Sequence, residues 1–323
     1  MVARHPHTLT VGLAQIAPCW LRRDATLDKV GVWLEQAAAE GCELVVFGEA
    51  LVPGYPFWVE RTDGARFDSR LQKELYAHYV NEAVDIAAGH LEPLAALAAK
   101  RGIAVYLGVI EKAADRGHSL YCSVVYINAN GKIASVHRKL MPTYEERLVW
   151  SCGDGHGLRT HPLGAFTVGG LNCWENWLPL ARAALYAQGE DLHVAIWPGS
   201  QRNTEDITRF IAKEGRSFVV SVSGLMRAED IDPALPHFDT LKTACRGNLA
   251  DGGSCIAAPD GAWLLAPETG SEALRIATLD HRRVLEERHN MDPAGHYSRP
   301  DVTRLTVERK RQTTAEFNGD ETL

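Results

Sequence analysis

Cys173 sits where an apolar run with strand character, Phe166 to Leu171, gives way to Asn172-Cys173-Trp174-Glu175-Asn176-Trp177, with a helix-like segment after Pro179. A side chain at the end of a strand and ahead of a helix is held by rigid neighbours yet opens onto a cleft. A thiol attacks only as thiolate, and an ordinary cysteine, with a pKa of about 8.5, is mostly protonated at neutral pH. It therefore needs a base or a positive neighbour. No histidine falls at an obvious strand end near Cys173; His193, which starts the next strand, reads equally well as a packing or surface residue. Two other ionisable residues are better placed. Glu49 follows the apolar Leu44-Val45-Val46-Phe47, and a carboxylate there must be paired or hydrogen-bonded, because burying an isolated charge is expensive. Lys139 follows the Lys132-to-Val136 arm of a hairpin. Each residue also has an ordinary reading: Cys173 as a small buried hydrophobe, Glu49 as a structural ion pair or cap, Lys139 as a solvated surface lysine.

The elements that must position these three can be read from periodicity. Thr8 to Ala17 alternates like a strand, and Asp24 can cap a helix with Leu27, Val30, Leu34, Ala37 and Ala38 on one face, ended by Gly41. The continuous apolar run 44–47 suits a strand buried on both faces. Pro53-Gly54-Tyr55-Pro56 forms a turn, Ser69 to Ile86 a helix, and a second helix reaches Lys100 before Gly102. Strands follow at Ile103–Ile110 and Leu120–Asn128, with Asn130-Gly131 turning the chain into the arm that precedes Lys139. Such a hairpin is antiparallel, so the sheet is mixed. After a polar loop holding Gly153, Gly155 and Gly157 come the Cys173 strand, a helix at Leu180–Gln188, a strand at Val194–Trp197, a helix at Thr204–Arg216 and a strand at Phe218–Val222. The last third repeats the hairpin theme at Cys255–Ala258 and Ala262–Leu265, then gives a strand at Leu274–Leu279 and a short helix at Arg282–Arg288. No repeat, linker or composition break divides the chain, which reads as one α/β domain over 1–307 with a polar tail, 308–323, mobile or used in assembly.

Composition excludes several classes. With 323 residues, 46% hydrophobic, the chain can bury a large core, and no apolar run approaches a membrane span. The first residues lack the apolar core of a secretory signal, so the protein reads as cytoplasmic. A net charge of −7 offers no footprint for nucleic acid. Seven cysteines form an odd set without a Cys-x-x-Cys pair, which argues against a disulfide framework and a zinc ribbon. Histidines are scattered, the only tight pair being His5 and His7, so neither a metal nor another cofactor is expected.

Three stretches in order now matter together: Phe47-Gly48-Glu49-Ala50-Leu51-Val52-Pro53-Gly54-Tyr55-Pro56, His137-Arg138-Lys139-Leu140-Met141-Pro142-Thr143-Tyr144-Glu145-Glu146-Arg147, and Asn172-Cys173-Trp174-Glu175-Asn176. In these the chain resembles the nitrilase branch of the carbon-nitrogen hydrolase superfamily, from about Gln15 through the segment His296 to Asp301. The resemblance implies an α-β-β-α sandwich with mixed sheets, assembled into a homodimer or a larger, even spiral, homo-oligomer. It implies Glu49 as general base, Lys139 as the cation beside the reacting nitrogen, Cys173 as nucleophile and Glu146 as a second glutamate beside them; the neighbouring Glu145 is read as pointing away. The activity implied is hydrolysis of a small-molecule nitrile to acid and ammonia through a covalent thioimidate and thioester, without metal or cofactor.

Trp174-Glu175 resembles the nitrilases within that superfamily; amidases and carbamoylases typically carry an aspartate two residues after the cysteine. Ser151-Cys152-Gly153-Asp154-Gly155 departs from the Gly-Glu-Gly-Asp-Gly of many nitrilases, and Cys152, in a flexible loop, reads as a bystander. Tyr55, Trp58, Trp174, Trp177 and Trp197 are candidate walls of a pocket that accepts an aryl or arylalkyl group, with short aliphatic nitriles still open. Two other functions compete: an amide or N-carbamoyl hydrolase on the same three residues, and a silent binding or assembly protein of this fold.

Overall fold

The computed structural model describes residues 7–315; His5 and residues 316–323 of the tail lie outside them. Two sheets pack face to face. The first is built from β1 (Thr8–Gln15), β2 (Leu44–Phe47), β3 (Ala104–Lys112), β4 (Leu120–Ile127) and β5 (Ile133–Arg138). The second takes β6 (His161–Leu163), β7 (Phe166–Asn172), β8 (Leu192–Trp197), β9 (Phe218–Ser223), β10 (Leu225–Arg227), β11 (Asn248–Ala257) and β12 (Trp263–Thr269), and β13 (Ala273–Asp280) returns to the first. The orders are β13-β1-β2-β3-β4-β5 and β10-β11-β9-β8-β7-β6, with β12 on β11. Both sheets are mixed: β1, β2 and β3 run parallel, as do β7, β8 and β9, while β4 and β5, β6, β11 and the returning β13 pair antiparallel at their flanks.

Alternation along the strands explains the layering. In β2, Leu44 and Val46 join the core between the sheets, and Val45 and Phe47 join the core under the outer helices. Both faces are buried, so the run has no polar partner residues. Outside the first sheet lie α1 (Arg23–Ala39), α2 (Phe57–Arg61), α3 (Arg70–Glu82) and α4 (Glu92–Arg101), with Leu34, Ala37, Leu94 and Ala98 against it. Outside the second lie α5 (Pro179–Tyr186) and α6 (Gln201–Gly215), through Ala181, Leu185, Ile207 and Ile211. The short α7 (Phe238–Ala244) and α8 (Arg282–Arg288) complete the α-β-β-α sandwich.

Several sequence expectations shift. Asp24 does not cap α1; the helix starts at Arg23, whose N–H donates to Glu82 Oε2 at 2.7 Å, and Asp24 lies in the first turn, where its charge suits the helix dipole. Ser69 does cap α3, but the helix stops at Glu82 because Val84 donates to the Ile110 carbonyl at 2.7 Å and bridges to β3. The hairpin arm runs to Arg138, so Lys139 follows it directly. The described part of the tail packs on the body: Arg311 reaches Asp154 at 3.0 Å and the Val136 carbonyl at 2.9 Å, and the Gln312 N–H meets Asp154 at 2.9 Å.

Candidate active site

β2, β5 and β7 deliver their C-terminal residues to one place. Glu49 lies just beyond β2, its N–H donating to the Trp197 carbonyl at 3.1 Å. The main chain there passes so close to β3 that a Cβ on Gly108 would lie 2.2 Å from the Gly48 carbonyl oxygen. Only glycine admits that approach. Lys139 is fixed by its N–H to the Cys122 carbonyl of β4 at 2.7 Å, and its side chain is wholly buried. Its Nζ stands 2.9 Å from Glu49 Oε1 and 2.7 Å from Glu146 Oε2. Glu146 is set by a single 3-10 turn, Tyr144–Leu148, and also accepts from the Thr143 N–H at 2.6 Å and the Tyr55 hydroxyl at 2.8 Å.

Cys173 opens a second 3-10 turn, Cys173–Trp177, with φ of +48°. A left-handed conformation at a residue with a Cβ costs about 1–2 kcal/mol and persists where the surroundings over-determine it. They do so here. Asn176 Nδ2 donates to the Cys173 carbonyl at 2.8 Å, Asn176 Oδ1 contacts His193 Nε2 at 2.7 Å, and His193 Nδ1 contacts Glu190 at 3.0 Å, all buried. Because a peptide N–H points opposite its C=O, anchoring that carbonyl turns the Trp174 N–H the other way, toward the sulfur, where it favours the thiolate.

The sulfur and one carboxylate oxygen from each of Glu49 and Glu146 lie within 4.8 Å of one another, with the Lys139 ammonium between the carboxylates. That set of donors could hold a metal ion only by displacing an ammonium at hydrogen-bond distance from both carboxylates. Burial raises the Glu49 pKa to about 7, Lys139 opposing and Glu146 adding to the rise. Burial, then Glu49, push the Cys173 thiol well above its ordinary range, while Lys139 pulls it down. Burial works against the charge on Lys139, but Cys173, Glu49 and Glu146 outweigh it and keep the ammonium. The resting state is thus a thiol beside a base of near-neutral pKa.

A cleft of about 600 Å³ opens in front of Cys173, lined among others by Tyr55, Phe57, Thr143, Glu145, Trp174 and Arg202. Three of the five expected aromatic walls, Trp58, Trp197 and Trp177, are elsewhere. Trp58 is fully buried against Trp20 and Tyr79, and Trp197 packs behind Cys173 with Ile207 and Ile211. Their strand-end and helix positions face the core, which residue type and position along the sequence did not reveal. Trp177 is exposed and lies 6.4 Å, ring to ring, from Trp174, off the cleft wall. Glu145 is half-buried at the cleft, 3.5 Å from the Tyr55 hydroxyl, rather than turned away. Cys152 is exposed, its sulfur 3.8 Å from that of Met141.

Sequence reasoning passed over the buried His137, which contacts both oxygens of Glu175 at 3.1 Å, and the chain from Asn176 to His193 and Glu190. One signal was present: His137 and Lys139 are alternate residues of an extended segment and share a face.

Fold and cluster together define a carboxylate–lysine–cysteine site at one end of a double sandwich. The chain belongs to the carbon-nitrogen hydrolase family, whose model matches residues 10–288. It is 34% identical to a protein named Nitrilase 2 from an unknown prokaryotic organism, over 97% of this chain and 96% of the relative. An aliphatic nitrilase from Rhodococcus rhodochrous is 33% identical, over 95% of this chain and 81% of its own. A bifunctional nitrilase/nitrile hydratase from Lupinus angustifolius is 35% identical, over 93% and 86%. Among solved structures, a carbon-nitrogen hydrolase from Helicobacter pylori G27 superposes with a TM-score of 0.65 at 21% identity, covering 91% of this chain and 97% of that one.

Proposed function

We propose that the protein is a nitrilase that converts an organic nitrile to its carboxylic acid and ammonia. The observation that carries the reading is the Lys139 ammonium held between Glu49 and Glu146, with the Cys173 sulfur beside the same two carboxylates. Its relatives at about a third identity over nearly the whole chain, named nitrilases, support the choice of substrate.

The chemistry follows from the positions. Glu49 takes the thiol proton as Cys173 Sγ bonds to the nitrile carbon, and one π bond becomes a lone pair on nitrogen. The Lys139 ammonium meets that developing charge, and a proton relayed from Glu49 through Lys139 completes a thioimidate. Water, deprotonated by Glu49, adds to the imidate carbon; the nitrogen is protonated and leaves as ammonia. A second water releases the acid from the thioester and returns the thiol. Each positioned acid–base group contributes on the order of 10²- to 10⁴-fold.

Tyr55, Phe57 and Trp174 offer aromatic faces to the substituent on the nitrile, and Arg202 and Glu145 give the same cleft a polar side. No helix among the described residues is long and apolar enough to cross a membrane. The protein works as a homo-oligomer in the cytoplasm: Trp177, Leu178, Leu180 and Phe210 leave an apolar face exposed on α5, the turn before it and α6, of the kind a second copy covers. Light scattering of the purified chain reads the assembly state.

Parallel assays of a nitrile panel and the matching amides, with ammonia detection, test the function. Ammonia from nitriles is expected; turnover of amides alone would overturn the reading.

A further inference from the structure

Behind the cluster, on β4, lies a buried thiol that the reaction above does not use. Cys122 Sγ is 3.5 Å from Glu49 Oε1 and 4.0 Å from Asn172 Oδ1, and its carbonyl accepts the Lys139 N–H at 2.7 Å. One residue thus touches the base through its side chain and fixes the cation through its main chain. The two Glu49 oxygens are unequal as a result. Oε1 receives the Lys139 ammonium and faces the Cys122 thiol, whereas Oε2 is buried without a hydrogen-bond partner. An unpartnered carboxylate oxygen in a buried site is costly and is the atom that gains most from a proton.

We propose that Cys122 is a positioning residue for the base: its S–H occupies Glu49 Oε1 together with Lys139, so that Oε2 is the oxygen left to take the Cys173 proton. The inference rests on Glu49 being the base. Of the two acceptors near Cys122 Sγ, the carboxylate oxygen is both nearer and charged, so it takes the single thiol proton. Burial, then Glu49, push the Cys122 thiol well above its ordinary range, so it remains a donor throughout the working pH range. A donor to the charged form of a carboxylate favours that form, and a thiol does so weakly. Cys122 therefore holds the base slightly easier to ionise than its burial alone would leave it.

The groups facing Glu49 come from every neighbouring element: Cys122 from β4, Lys139 after β5, Glu146 and Cys173 from the two 3-10 turns, Tyr55 from the segment before α2 and Tyr79 from α3. Burial pushes both tyrosines far upward, so they stay neutral, and Lys139 stays charged. Removing the Cys122 thiol changes this set by one donor and no charge.

The test reads alkylation of Cys173 by iodoacetamide against pH, by mass on the Cys173 peptide, beside nitrile turnover. In that step sulfur displaces iodide and the thiol proton passes to Glu49, so the profile follows the base whatever the natural substrate. Cys122→Ala and Cys122→Val both remove the donor, but only alanine leaves a cavity. Both are expected to move the acidic limb of the two profiles upward by about half to one pH unit, alike despite different losses of Tm, and Cys122→Ser to return it toward wild type. Limbs unmoved in the alanine and valine variants, or moved in proportion to Tm with valine near wild type, would overturn the proposal. A wild type that shows no nitrile turnover while its alkylation limb still moves in the variants would remove the nitrilase reading and leave the positioning role standing.

Discussion

The carboxylate of Glu175 accepts the backbone N–H of Leu140 at 2.6 Å, so the turn that carries Cys173 is bonded to the residue next to Lys139. The same carboxylate accepts the Asn172 N–H at 3.0 Å and contacts His137 Nε2. These bonds and the His137 contact hold its pKa below the usual range although burial opposes them. Glu175→Ala leaves two buried N–H groups and a histidine without a partner, at a cost of about 3–5 kcal/mol for a broken buried pair. Thermal unfolding should show that loss, and kcat should fall about tenfold or more, because the spacing between nucleophile and cation loosens. Unchanged kcat in the folded variant would mean that the two segments are held by other contacts.

Lys139→Gln should cost at least about a thousandfold in kcat, since it removes the ammonium proposed to meet the developing nitrogen anion and leaves Glu49 and Glu146 opposed. Lys132, exposed on the same hairpin, serves as the control. Its glutamine variant should retain wild-type turnover. Equal losses in the two variants would contradict the assignment.

Activity and stability should respond to pH in opposite directions. As the proposed base, Glu49 would act as a carboxylate, and its pKa is raised to about 7 by burial, with Lys139, Glu146, Cys122, Cys173, Tyr55 and Tyr79 around it. The acidic limb of kcat/KM should therefore fall near pH 7. A carboxyl whose folded pKa lies above its unfolded value binds more protons in the folded state, so its contribution to stability is full below about 4.5 and is lost as pH rises through 7. Denaturant titrations from pH 5 to 8 should show this loss in wild type and not in Glu49→Gln.

The aromatic residues divide by location. Trp58→Ala should lower stability by about 3–5 kcal/mol, the usual cost of emptying a core aromatic site, without changing the ratio of aryl to aliphatic nitrile turnover. Trp174, 53% exposed on the cleft, should do the reverse when replaced by alanine: little change in Tm, a shifted ratio. A selectivity change in the Trp58 variant would place it closer to substrate than its packing against Trp20 and Tyr79 allows.

Periodicity was enough to read the strands, the helices, a mixed sheet and the strand-end places of Glu49, Lys139 and Cys173, because β2, β5 and β7 are short runs with clear ends; the sandwich and the meeting of the three residues came from the resemblance of the three motifs. What stayed hidden depends on distance in three dimensions. Cys122 and Glu49 are separated by 73 residues, and nothing local marks a strand cysteine as a neighbour of a carboxylate. β11 begins seven residues before the expected Cys255, because tertiary pairing to β10 and β12 carries the strand through Asp251-Gly252-Gly253. The left-handed Cys173 likewise follows from the Asn176, His193 and Glu190 chain rather than from any preference of its own residue type.

The central claim is that Cys173 forms the bond to substrate. Enzyme quenched during nitrile turnover and digested for mass spectrometry should carry an imidate or acyl mass on the Cys173 peptide, absent in Cys173→Ala. The same mass on the Cys152 peptide, or turnover that survives in Cys173→Ala, would contradict the account.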